Sequence, residues 1–221
     1  MVSNCWTRRS APRRRRIVLG TVALISIVAS AGTLLSPVPV SAKYVATSDV
    51  VIADRAADAL ESLARWQDTG RMSDFSAYTA ARADTARMTA FAVHVPGTAL
   101  EAAWAATDIS NQHVVLAALT QLDVPYRSMA SKQDVAFDCS GLTMYAFAQA
   151  GIVIPRSSRQ QINAAMAVDE ANAEPGDLVF YPGHVSLYLG AHLLVHSPQS
   201  GQTVEVRQMF DRSVRFGDAT R

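Results

Sequence analysis

From Asp49 to Gln67 the apolar residues Ile52, Ala56, Ala59, Leu63 and Trp66 recur every three or four positions, the spacing of one helical face. "DTG" at 68–70 ends that stretch. A second helix is predicted over Ser73–Val93, with Phe75, Tyr78, Met88 and Phe91 as its bulky residues, and "VPG" at 95–97 breaks it. Thr98–Ala106, with Trp104, reads as a short third helix. Ser110 is placed to cap a fourth, Asn111–Leu122, whose Val114, Val115, Ala118, Leu119 and Leu122 form an apolar face. His113, in its first turn, is expected to face solvent, and His94 to be structural or exposed. "DVPYRSMASKQDVAF" (123–137) reads as an irregular loop. Asp138 then caps a helix that runs to Gly151, and Ser157 or Ser158 caps another.

After the turn "EPGD" (174–177) the period changes to two. "DLVFY" (177–181), "HVSLYLG" (184–190), "HLLVHS" (192–197) and "TVEVR" (203–207) read as successive antiparallel strands joined by short turns. Helices first and then a meander argue for an α+β fold.

Charge divides the chain differently. Residues 1–42 hold six arginines and no acid, then the apolar run 17–35, then "SPVPVSA" with Val40 and Ala42 at cleavage-site spacing. This is the layout of a secretory signal peptide cut after Ala42. The alternative is an uncleaved anchor, since nineteen apolar residues are about enough to span a bilayer, and only then would the protein engage a membrane. Residues 43–221 carry 14 lysines and arginines against 19 acids, a net charge of −5. That balance offers no basic face for nucleic acid. The expected organisation is a signal peptide (1–42), an alanine-rich helical extension (43–109) and an α+β domain (110–221), placed outside the cytoplasm in the envelope or medium.

One cysteine remains beyond the leader, Cys139, and it begins a helix. The first N–H groups and the dipole of a helix favour negative charge there, and a single thiol cannot close an internal disulfide. Nucleophile, inert buried thiol and intermolecular bridge are the open readings. A nucleophilic thiol needs a base, and the base an orienting partner. His184 and His196 lie on successive strands; a hairpin centred on Gly190 sets them opposite each other on one sheet face, and a slip of one residue separates them. Val185, Leu187, Leu193 and Val195 then fit the other, packed face. The chain contains no HExxH and no CxxC, and no metal or cofactor is expected.

These residues are carried by six ordered motifs: "VPY" (124–126), "FDCSGL" (137–142), "AGIVIPRSSRQQ" (150–161), "PGDLVFY" (175–181), "HVSLYLG" (184–190) and "VHSPQSGQTVEV" (195–206). From about Gln112 onward the chain resembles the NlpC/P60 cysteine peptidases of bacterial cell walls. The resemblance implies a papain-like α+β domain, its nucleophile helix packed on an antiparallel sheet. It implies Cys139 as nucleophile, His184 as base and His196 as the residue that orients it. Tyr126 matches a tyrosine near the nucleophile, and Asp138 and Ser140 match positions that hold the substrate's peptide end. The implied activity is hydrolysis of amide bonds in peptidoglycan stem peptides, commonly between D-glutamate and a diamino acid. A catalytically weak envelope scaffold, or a Cys–His amidase or acyltransferase on another substrate, are the alternatives. One departure stands beside the site: "RSMASKQ" follows Tyr126 where the family usually reads Trp-Gly-Gly after one residue.

Overall fold

The computed structural model describes residues 48–210 and 213–221. The leader and its cleavage site lie outside the described residues. Helices α1 (Ser48–Thr69) and α2 (Met72–Ala92) pack side by side, with Gly70 (φ +68°) turning the chain between them. α1 buries Ile52, Ala56, Ala59 and Leu63, the stripe its periodicity marks out. In α2 the expectation holds for Tyr78, which is fully buried, but Phe91 is 81% exposed. Small residues, Ala81, Ala86 and Ala90, take the buried side instead.

α3 (Gly97–Ala106) buries Leu100 and Trp104 and reaches the sheet, where the Trp104 indole N–H donates to the Leu189 carbonyl at 2.7 Å. α4 (Ile109–Leu119) starts two residues before the expected point, with Asp108 rather than Ser110 at its N-cap. Val114–Leu119 are all fully or almost fully buried, because α4 packs against α1 on one side and the nucleophile helix on the other. A helix apolar on every side has no solvent face to leave open, and His113, expected outside, is half-buried. Burial holds its imidazole below the ordinary value.

The stretch read as an irregular loop contains a small hairpin, β1 (Ser131–Lys132) against β2 (Ala136–Phe137). It leads into α5 (Cys139–Gln149), which ends at Gly151 (φ +79°), and α6 (Ser158–Ala164), whose N-cap Ser157 accepts from the Gln160 N–H.

The sheet has six antiparallel strands in the order β3-β8-β4-β5-β6-β7. β4 (Leu178–Tyr181), β5 (His184–Gly190), β6 (Leu193–His196) and β7 (Glu205–Gln208) are the expected meander. β3 (Met166–Val168) and β8 (Arg215–Asp218) extend it on the β4 side, with β8 between β3 and β4. Met-Ala-Val in β3 and Arg-Phe-Gly-Asp in β8 show no run of alternating apolar and polar residues, and the pattern alone does not reveal them. One sheet face, with Leu178, Phe180, Val185, Leu187, Leu189, Leu193 and Val195, joins the buried residues of α1–α5 in a single apolar core. The other face carries a smaller cluster of Val179, Tyr181, Leu194 and Phe216. The fold is α+β, with the Cys139 helix packed on β5.

The β5–β6 register differs from a hairpin centred on Gly190. Leu187 pairs with Val195 and Tyr188 with Leu194, and then Gly190 pairs with Leu193, so Leu189 is the extra residue of a β-bulge. Gly190, Ala191 and His192 all have positive φ (+89°, +50° and +61°). A Cβ on Gly190 would lie 3.1 Å from the Ala103 Cβ, so α3 also needs a glycine at this corner. Continuing that register sets His196 across from Ser186, one diagonal step from His184. The two histidines keep a common face without being directly opposite, and diagonal neighbours remain within reach of ring side chains.

Candidate active site

Cys139 is the first residue of α5, half-buried, with a free thiol. Its position is fixed from before and behind. Asp138 is in extended backbone (φ −93°, ψ 177°), and its Oδ1 accepts from the Gly141 N–H at 2.7 Å. The Asp138 N–H donates to the Ala130 carbonyl at 2.9 Å, which lays the 127–135 segment against the helix start. A Cβ on Gly141 would come within 2.0 Å of that carbonyl oxygen, so this approach requires glycine there.

Asp138 and Ser140 are both buried and share a partner that sequence reasoning missed. The Arg156 guanidinium forks onto the carboxylate, with Nη2 to Oδ2 at 2.7 Å and Nη1 to Oδ1 at 3.1 Å, and Nη1 also reaches Ser140 Oγ at 2.8 Å. A planar fork onto a carboxylate combines charge with fixed geometry. Arg156 lies in the quoted "IPRSS" motif, but nothing local marks an arginine 18 residues downstream as the partner of an N-cap.

Tyr126 is held by its backbone: its N–H donates to the Gln202 carbonyl at 2.8 Å, and it bridges Phe137 in parallel. Burial, then the charges of Cys139 and Asp138, push its phenol above the ordinary tyrosine value. Tyr126 therefore lies within electrostatic reach of both. The end of β6 is tied to the same place, since Ser197 Oγ donates to the Phe137 carbonyl at 2.8 Å.

The two histidines meet. His184, the first residue of β5, is half-buried; His196, the last of β6, is 2% exposed. Nε2 of His184 lies 2.8 Å from Nδ1 of His196, with the rings at 81°. Burial, and secondarily the positive charge of Arg207, lowers the His196 pKa to about 4. His196 is therefore a neutral imidazole near pH 7, with one N–H and one lone pair to offer. Its Nε2 faces Glu205 Oε1 at 3.3 Å, a second residue missed from sequence. In "TVEVR" Glu205 reads as an outward polar position, and only the β6–β7 register, which pairs His196 with Glu205, shows what it faces. Among the described residues no group of three or more His, Cys, Asp or Glu is arranged to hold a metal ion, and no helix is long and apolar enough to cross a membrane.

Residues 123–215 match the NlpC/P60 family. Over 111 residues the chain is 43% identical to the probable endopeptidase Rv2190c of Mycobacterium tuberculosis, covering 49% of this chain and 28% of that one. It is 40% identical over 111 residues to the peptidoglycan endopeptidase RipB of the same organism, covering 43% of this chain and 46% of RipB. The chain thus spans less than half the length of either relative. The solved structure of the peptidoglycan hydrolase RipB superposes with a TM-score of 0.46 and 28% identity, over 67% of this chain and 86% of that one. The segment that holds Tyr126, Asp138, Cys139, Ser140, Arg156, His184, His196 and Glu205 belongs to the NlpC/P60 family.

Proposed function

We propose that this protein is a cysteine endopeptidase that hydrolyses amide bonds in peptidoglycan stem peptides, acting outside the cytoplasm. RipB is named a peptidoglycan endopeptidase, and the shared family supports the same substrate class here. The bond taken is the one commonly cut in the family, between D-glutamate and a diamino acid. The observation that carries the reading is the imidazole pair: a neutral, buried His196 at 2.8 Å from His184 is what an orienting residue behind a general base requires.

In the proposed reaction His184 accepts the thiol proton of Cys139, and the sulfur attacks the scissile carbonyl carbon. The oxyanion is received by the helix-start amides of Cys139 and Ser140, ahead of the Gly141 N–H that Asp138 already occupies. The tetrahedral species collapses, the C–N bond breaks, and His184 returns the proton to the leaving amine. Water, deprotonated by His184, then cleaves the thioester and restores the thiol. Tyr126, Asp138 and Ser140 border the peptide end of the substrate. Since Arg156 already engages both Asp138 carboxylate oxygens, Asp138 and Ser140 act as a rigid wall whose charge is largely compensated.

The test is incubation of the full chain with purified muropeptides and mass analysis of the products, beside Cys139→Ala. The expected result is cleavage between D-glutamate and the diamino acid by the parent protein and none by the variant. Cleavage at another amide corrects the bond, transfer of the acyl group to an added amine makes the protein an acyltransferase, and equal activity in Cys139→Ala sinks the reading.

A further inference from the structure

His184, His196 and Glu205 stand in a line across three neighbouring strands. His196 lies one diagonal step from His184 on β5 and is directly paired with Glu205 on β7. Its ring has one nitrogen on each neighbour: Nδ1 at 2.8 Å from His184 Nε2, and Nε2 at 3.3 Å from Glu205 Oε1. We infer that Glu205 is a positioning residue that sets the tautomer of both histidines and so aims the base.

The argument is one of donors and acceptors. An ionised carboxylate only accepts. The hydrogen bond to Glu205 therefore requires the proton of His196 to sit on Nε2. His196 is 2% exposed, and burial opposes a second proton on its ring, so Nδ1 is left as a bare lone pair. The 2.8 Å contact to His184 then requires the proton on His184 Nε2. With Nε2–H donating inward, the lone pair of neutral His184 is on Nδ1, the one nitrogen left to take a proton from the thiol. The same arrangement holds when His184 is charged, because Nε2 still donates. Remove the carboxylate, and His196 can carry its proton on Nδ1 instead. It then donates to His184, whose own proton moves to Nδ1 and occupies the position of the base lone pair.

The surroundings hold Glu205 to this task. Arg207, two residues along β7, places Nη1 3.9 Å from Glu205 Oε1, and its guanidinium lies over the Phe210 ring at 4.2 Å. Phe210 meets His196 edge-on at 6.1 Å, and its N–H donates to the Tyr181 hydroxyl. Arg207 thus lies beside the carboxylate, and an aromatic ring lies edge-on against the imidazole.

The consequence for catalysis rests on the reading of His184 as the base, but the tautomer does not, and the test separates them. Nitrogen-15 NMR of the full chain labelled in histidine reports each ring nitrogen directly. The expected spectrum has His196 with a protonated Nε2 and a bare Nδ1; Glu205→Ala moves population to the Nδ1–H form. Glu205→Gln, whose amide oxygen can still accept, restores most of the parent pattern. On muropeptides Glu205→Ala lowers kcat by about 10-fold to 100-fold, the size carried by a histidine's outer hydrogen-bond partner, with KM little changed, and Glu205→Gln recovers much of the loss. Should Glu205→Ala fail to fold, the parent spectrum and Glu205→Gln still decide. A parent His196 protonated on Nδ1, or ring nitrogens that do not respond to Glu205→Ala, overturns the inference. The parent tautomer with no hydrolysis by the full chain overturns the proposed function alone.

Discussion

The start of α5 and the β5–β6 hairpin carry the two halves of the candidate site, and they are built in opposite ways. At the helix start four consecutive residues do most of the work: Asp138 caps, Cys139 begins the helix, Ser140 faces the cap and Gly141 supplies the capped N–H. At the hairpin the two histidines are twelve residues apart, and their relative placement is set by a bulge at Leu189 and three successive residues with positive φ. The difference teaches that a nucleophile can be presented by local chemistry, whereas its base needs a register that the whole sheet enforces. Damage to the helix start should therefore appear mainly as lost stability, and damage at the histidines mainly as lost rate.

The sharpest way to break this comparison is through rate. His184→Ala and His184→Asn should each lower hydrolysis by about 10²–10⁴-fold, since neither side chain transfers protons near neutral pH. His196→Asn or His196→Gln should retain a measurable fraction, and His196→Ala less, because an orienting role tolerates another polar group. Rates of the four variants, each checked by circular dichroism, decide it. Equal and complete loss in folded His196→Asn and His184→Ala would show that His196 does more than orient.

The next largest effect is in pH dependence of stability. With a folded pKa of about 4 against 6.5 when unfolded, His196 binds fewer protons in the folded state, so it contributes stability that is lost as pH falls from about 6.5 to about 4. The shift corresponds to about 3 kcal/mol. Asp177, which accepts from the Glu174 N–H at the turn into β4, is raised by burial from 3.8 to about 6. It binds more protons when folded, so its contribution falls as pH rises through the same window. The two slopes oppose each other. Asp177→Asn should expose the His196 slope, a loss of stability on acidification, and His196→Gln should tilt the curve the other way. Urea unfolding at steps from pH 7 to pH 4 measures both; parallel curves for the two variants would refute the assignment.

At the helix start, Asp138→Ala removes a cap and leaves Arg156 without its carboxylate, at a cost of about 2 kcal/mol. Gly141→Ala places a Cβ against the Ala130 carbonyl and should cost about 1–3 kcal/mol by displacing the 127–135 segment. Both are read from denaturant midpoints. A shift near zero for Gly141→Ala would mean that this segment yields freely and does not fix the nucleophile.

The smallest effect sharpens the hairpin side. Ala191 sits at φ +50°, a conformation that costs an L-residue and not glycine, so Ala191→Gly should stabilise by about 0.5 kcal/mol without changing the rate. Destabilisation would show that the methyl group packs usefully at this turn.

By itself the sequence determined the elements whose signals are local and repeated. The α1 stripe, the cap at Asp138, the stop at Gly151, the cap at Ser157 or Ser158 and the four strands of the meander each announce themselves within a few residues, since capping and periodicity are short-range effects. It also showed that one register parity puts His184 and His196 on one face, without fixing that parity. Tertiary structure decided the rest. Strands β3 and β8 carry no apolar–polar alternation of their own, and only their pairing with each other and with β4 shows them. Phe91 reads as core from its side chain, yet it is left outside, and α2 buries Ala81, Ala86 and Ala90 instead. Arg156 and Glu205 became part of the site only when chain segments distant in sequence were brought together. The bulge at Leu189, at a corner where α3 brings Ala103 and Leu100 against Gly190, moved the histidines from opposite to diagonal. Hydrogen-bond partners and strand registers are properties of pairs of segments, and a pattern read along one segment does not contain them.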